Sequence, residues 1–91
     1  YQFNGFELEE LTSEDMQQLG IDYGVKIKNI TNKDYERYAD ELQGAIILTI
    51  NGTKVKDLET AKVLLNPNRL QNRFILDILT HSRERVRLMI W

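Results

Sequence analysis

The chain contains no cysteine. A disulfide framework and a thiolate metal site are thereby excluded, while the redox character of its compartment stays open. Proline occurs once, and no low-complexity run or internal repeat is present, which argues against a disordered linker. The single histidine is His81. Beside it Ser82 invites a nucleophile reading. A serine nucleophile, however, needs a base that is itself oriented by a third group in a shielded setting, and a hairpin tip supplies neither. No catalytic residue, no metal and no cofactor is assigned, and the chain by itself is not expected to be an enzyme. The longest apolar run, "AIIL" at 45–48, is far short of the roughly 20 residues a membrane-spanning helix needs, so no membrane insertion is expected. Acids and bases are interleaved to a net charge of -2, unlike the basic footprint of a nucleic-acid binder. The sequence starts at Tyr1 rather than Met and shows no signal-peptide pattern. It reads as a single domain, 1–91, taken from a longer protein, with any targeting signal upstream.

What is present is patterned. "FELEEL" alternates, with Phe6 and Leu8 on one face and Glu7 and Glu9 on the other, which predicts a strand with one wet side. Thr12 followed three residues later by Asp15 is a capping-box variant, and it predicts a helix of about two turns ending at Gly20. "GVKIKNIT" alternates again, with Val25 and Ile27 inward. Asn32 then caps "KDYERYADELQG", where Tyr35, Tyr38, Ala39 and Leu42 fall at i, i+3, i+4 and i+7, an amphipathic helix with both tyrosines in the core. "AIILTINGTKV" is the most buried-looking strand, broken by the Asn51-Gly52 turn signal, which also explains Asn51 better than its glycosylation sequon does. Asp57 caps the helix "LETAKVLLN". "NPNRLQN" reads as a loop, and "RFILDILT", the turn at "HSRE" and "RVRLMIW" read as a closing hairpin with Val86, Leu88 and Ile90 on one face. The expected fold class is α+β: a small, partly open antiparallel β-barrel or sandwich of five to six strands, capped by two to three helices.

The opening "YQFNGFELEEL" raises a separate question. Burying an aromatic such as Phe3 or Phe6 is worth roughly 1.5–3 kcal/mol, and Asn4-Gly5 can turn the chain. The two rings could simply plug one end of the barrel, or the loop could point main-chain N–H groups at a ligand.

Three segments together resemble a PDZ domain: "FNGF" running into "ELEEL" is similar to the carboxylate-binding loop and its strand, "LQGAIILTINGTKV" to the apolar strand and Asn-Gly turn, and "DLETAKVLL" to the groove helix. Gly44-Ala45 stands where the family has Gly-Asp. The order, with the loop strand first and the hairpin last, resembles the PDZ domains of bacterial HtrA/DegP-type serine proteases, in particular a C-terminal, regulatory one. The resemblance implies a periplasmic protein-quality-control endopeptidase whose catalytic residues lie outside this chain. It also implies partners that are polypeptide C-termini or unfolded segments, or other domains and protomers of the protease.

PDZ domains take a peptide as an added strand on an exposed sheet edge. On that pattern Phe3, Asn4, Gly5 and Phe6 would present N–H groups to a terminal carboxylate, in charge-assisted bonds roughly twice as strong as neutral ones. Glu7 and Leu8 would continue the ladder, Phe6 and Leu8 would floor the pocket, and Asp57, Ala61 and Leu64 would line the helix wall. Small Ala61 would leave room for a large apolar last residue. The acidic rim of Glu7, Glu9 and Asp57 would weakly favour Lys or Arg upstream in the ligand, with Kd ~1–100 μM, roughly 5–8 kcal/mol. Leu58 and Leu65 form a competing stripe one residue out of register. Capture requires an open margin on the Phe6–Glu10 strand. The rivals are a purely structural assembly domain and a PDZ domain of another protease class.

Overall fold

The apolar run at 45–48 marks the middle of the sheet. A strand covered on both faces has no reason to alternate, and in the computed structural model, which describes residues 1–3, 5–65 and 73–90, Ile46–Ile50 forms β4 with Ile46, Ile47 and Leu48 all buried. The other strands are β1 (Gln2–Phe3), β2 (Phe6–Glu10), β3 (Val25–Ile30), β5 (Thr53–Lys54), β6 (Phe74–Leu79) and β7 (Arg85–Ile90). They make one seven-stranded antiparallel sheet in the order β1-β2-β3-β4-β6-β7, with β5 hairpinned onto β4. The expected α+β antiparallel class is what forms. Two of the seven strands are two-residue pairings.

The helices start where the capping residues stand. Thr12 and Asp15 close a reciprocal capping box on α1 (Ser13–Leu19), and Asp57 accepts from the Thr60 amide at the start of α3 (Leu58–Leu64). Asn51 and Gly52 both have positive φ, 52° and 82°, the signature of a tight two-residue hairpin turn. The Asn51 side chain also accepts from the Ile75 amide at 2.8 Å, bracing that turn on β6.

The segment after Asn32 corrects its expectation. It is not one amphipathic helix but a 3₁₀ stretch, Lys33–Tyr38, followed by a single α turn, α2 (Ala39–Leu42). The backbone breaks step at Tyr38 (φ −102°, ψ 2°). Leu42 therefore reaches the core and Tyr35 is half-buried against Phe6, while Tyr38 is turned out to solvent, 43% exposed. The "NPNRLQN" loop and Trp91 lie outside the described residues.

One apolar core lies between the sheet and the helices, drawing on Phe6, Leu8, Val25, Ile27, Ile47 and Ile78 among others. On the half-wet β4–β6–β7 face, register places Thr49, Asp77 and Arg87 in a row across three strands. Asp77 accepts from the Thr49 hydroxyl at 2.7 Å and from Arg87 Nε at 3.1 Å. The Thr49 bond chiefly, then Arg87, holds its carboxyl below the ordinary value of 3.8. Asp15 and Asp57 are lowered too, each mainly by the backbone N–H it caps. A carboxyl with a depressed folded pKa contributes stability that is fully present above its unfolded value and is lost as pH falls through the folded one. The melting temperature should therefore hold steady from neutrality to about pH 4 and fall below it. Asp77→Asn should melt lower than the parent at pH 7 and converge with it near pH 2. Thermal melts by circular dichroism at constant ionic strength check this, and a gap that persists at pH 2 would count against it.

Candidate functional site

The outer margin of β2 is where addition of a ligand to a vacant edge stands or falls, and it is not open. β1 doubles back onto β2, with Gln2 opposite Glu7 and Phe3 opposite Phe6. The Leu8 amide donates to the Tyr1 carbonyl at 2.7 Å, and the Tyr1 nitrogen donates to the Leu8 carbonyl at 3.2 Å. Tyr1 and Leu8 thus exchange both bonds. By the alternation of an antiparallel ladder, Gln2–Glu7 is the non-bonded pair and Phe3–Phe6 the next bonded one. The Phe6 amide is therefore directed at Phe3 rather than at a ligand. The expectation of a vacant margin is overturned because residues 1–3 pair antiparallel with β2 along the same edge.

The candidate residues divide as follows. Phe3 is half-buried against the core, its ring edge-on to Phe74 at 5.3 Å between centroids. Asn4 lies outside the described residues. Gly5 has φ +81°, and its carbonyl accepts from the Thr31 amide at 2.6 Å and from the Thr31 hydroxyl at 3.2 Å. The loop is thereby fastened to the end of β3. Phe6 and Leu8 are fully buried in the core. Glu7 is half-buried, within a register irregularity between Glu7 and Leu8 that shifts the β2–β3 pairing.

On the helix side the competing stripe is the one that faces inward. Leu58, Ala61 and Leu65, at i, i+3 and i+7, belong to the core or pack on it. Ala61 is 0% exposed, so its small size fits the helix onto the sheet rather than leaving room for a ligand. Leu64 is half-buried against the same core. The Asp57 carboxylate accepts from the Thr60 amide (2.9 Å) and hydroxyl (2.8 Å) through Oδ1 and so caps α3. Beside β1 lie Glu7, opposite Gln2, and Lys62, whose Nζ is 5.6 Å from the centre of the Tyr1 ring.

Glu10 was not singled out from the sequence, and Asn32 was singled out only as a helix cap. The Glu10 carboxylate accepts from the Leu58 amide, tying the last residue of β2 to the first turn of α3. Asn32 packs under Gly5 and accepts from the Asp34 amide at 2.9 Å. A carboxylate at the end of a strand and an Asx cap each have local signals, but only tertiary contact shows what they hold. His81 and Ser82, adjacent in sequence, engage different groups: the His81 ring lies 3.2 Å from the Asp40 carbonyl, and the Ser82 hydroxyl lies 3.0 Å from that of Thr80.

How firmly β1 is held can be set out roughly. Half-burying Phe3 contributes about 1 kcal/mol, and each ladder hydrogen bond contributes roughly 0.5–1.5 kcal/mol. Ordering three backbone residues costs roughly 1–2 kcal/mol each. Taken alone, the contributions of residues 1–3 sum to within a few kcal/mol of zero, so these three residues by themselves hold the edge weakly, in contrast to the β2–β3 ladder on the other side.

A β2 strand carrying an added edge strand, a helix α3 alongside it and a closing β6–β7 hairpin define a PDZ-like α+β fold. No family model and no curated protein sequence matches the chain. Among solved structures it is similar to the HtrA-type protease AlgW, determined with a decapeptide, at 23% identity and a TM-score of 0.66. The match covers 96% of this chain and 27% of that one. The chain thus spans about a quarter of that protease's length.

Proposed function

We propose that this chain is a peptide-binding module that takes an extended polypeptide, a C-terminal tail or an unfolded segment, as an added strand on β2 beside α3. The fold likeness to a protease determined with a decapeptide carries the reading, and the strand already on that edge decides how a ligand would enter. Residues 1–3 lie antiparallel on β2, joined through both main-chain groups of Leu8, with an aromatic side chain set into the core. The edge is therefore competent for β-augmentation. The similar protease was determined with a decapeptide, which is consistent with the same use here. Addition to a vacant margin is ruled out by β1, so capture on this domain is strand exchange.

The parent is proposed to be an HtrA/DegP-type serine endopeptidase of the periplasm, acting in protein quality control. This domain would be its C-terminal, regulatory PDZ and would itself carry no catalytic residue. The fold likeness and the order of elements support that reading. A second reading, a structural domain that holds protomers together without binding peptide, draws on the filled margin, since assembly needs no slot.

Fluorescence anisotropy separates the two. The probe is a fluorescein-labelled Gly-Gly-Tyr-Gln-Phe peptide with a free carboxylate, which carries the sequence of the resident strand. Saturable binding below millimolar peptide is expected, since the probe's free carboxylate adds charge-assisted bonds that the resident strand lacks, and amidation of the peptide end should weaken it. Absence of saturation up to millimolar peptide, together with loss of oligomers when the domain is deleted from its parent, would favour assembly.

A further inference from the structure

We infer that residues Tyr1–Phe3 are a built-in competitor for the β2 margin, so that ligand affinity is set by the release of this strand rather than by a standing groove. The inference rests on the peptide-capture reading and adds to it how the site is regulated.

The occupant blocks the groups a ligand strand would need. Both main-chain groups of Leu8 are engaged by Tyr1, and Phe3 and Gln2 stand opposite Phe6 and Glu7. Its hold is shallow. Tyr1 is 40% exposed, Gln2 is exposed, and among the three only Phe3 packs on the core. The Lys62–Tyr1 separation of 5.6 Å is near the outer limit of a cation–π contact. The inner side of β2, by contrast, is paired with β3 along its whole length, from Phe6 to Glu10. Release of β1 therefore exposes the margin without dismantling the sheet, a local opening of the kind drawn from the low-stability end of a fold. When only a fraction of molecules is open, the apparent Kd exceeds the intrinsic one by the inverse of that fraction.

A reversible lock tests this. Gln2 and Glu7 are direct partners at a non-bonded position, where Cα atoms are about 4.5 Å apart. That separation falls within the range a disulfide accepts, and the chain has no other cysteine to interfere. In the double variant Gln2→Cys/Glu7→Cys, the same sample is assayed oxidised and then reduced with the fluorescein Gly-Gly-Tyr-Gln-Phe probe. Oxidation is expected to weaken binding at least ~10-fold, with reduction restoring it. Hydrogen exchange at the Leu8 amide should slow by a similar factor on oxidation, while exchange at the Ile27 amide, bonded to the Ala45 carbonyl on the far side of the sheet at 2.8 Å, stays unchanged. Equal affinity in the two forms would overturn the competitor while leaving capture intact. Two thiols that refuse to pair under mild oxidant would show that β1 does not reside on β2, and would overturn it as well. Absence of binding in both forms would overturn the capture reading and this inference with it.

Discussion

Replacing Gly5 with valine is expected to lower stability by about 2–5 kcal/mol, from backbone strain and overpacking together. For a domain of this size that is a drop of roughly 10–30 °C in melting temperature. Two effects coincide at this position. The backbone sits at φ +81°, where a β-branched side chain is a genuine outlier. A Cβ there would also lie 2.5 Å from the Asn32 Cβ and 2.7–2.8 Å from the Asn32 backbone N and Cα. Main-chain atoms cannot step aside as the tip of a long side chain can, so either the turn or the cap of the 3₁₀ stretch has to move. Gly44 is the control: its φ is +83°, but a Cβ there would meet nothing within 4 Å. Gly44→Ala should therefore cost only the conformational part, about 1 kcal/mol. Urea titration of both variants checks the contrast, and equal losses would show that the Asn32 contact carries no weight. On sequence grounds a β-branched residue at Gly5 should abolish ligand capture and spare assembly. The packing of Asn32 makes it a perturbation of the fold as well, which is why the reversible lock is the better probe of the margin.

The second large effect belongs to the core. Ile27 is fully buried on β3, between β2 and β4, with Leu8 as its Cα partner. Its own N–H and C=O are bonded to Ala45 and Gly44 at 2.8 and 2.7 Å. Those main-chain bonds hold the strand in place when the side chain is cut back, so the cavity left by Ile27→Ala cannot collapse easily. The expected loss is roughly 2–5 kcal/mol, against a total of about 5–14 kcal/mol for a domain of 91 residues. Val63→Ala on α3, at a side chain 64% exposed, should stay within about 0.5 kcal/mol of the parent. Equilibrium unfolding in urea with an unchanged slope would attribute the Ile27 loss to stability alone.

Most of the fold was legible because local signals and long-range packing agree. Alternation at Phe6–Glu10 and Val25–Ile30, the Thr12/Asp15 box, the Asp57 cap and the Asn51-Gly52 turn each stand where an element begins or ends. The candidate site was less legible, for three separate reasons. A two-residue strand has no period to read, so β1 was invisible as an edge partner. On α3, two stripes share Ala61, and only contact with the sheet decides that Leu58 and Leu65 are the inward pair. At 33–42 the apolar spacing suited an α-helix, but the first turn is 3₁₀, and the change of step at Tyr38 sends its ring to solvent. Asp57 was placed correctly as a cap, with Thr60 donating to one of its two carboxylate oxygens.

The turn joining β1 to β2 leaves only positions 4 and 5 between the paired residues Phe3 and Phe6. The resident strand is therefore tethered, and its effective concentration at the margin is on the order of millimolar whatever the dilution of the protein. A free tail with the same intrinsic affinity is outcompeted while dilute and prevails only where chain ends are crowded or delivered on a tethered partner. If the chain captures peptides as proposed, the tethered strand would make it respond to local abundance of polypeptide ends, in the manner of a threshold, rather than to the presence of a single one.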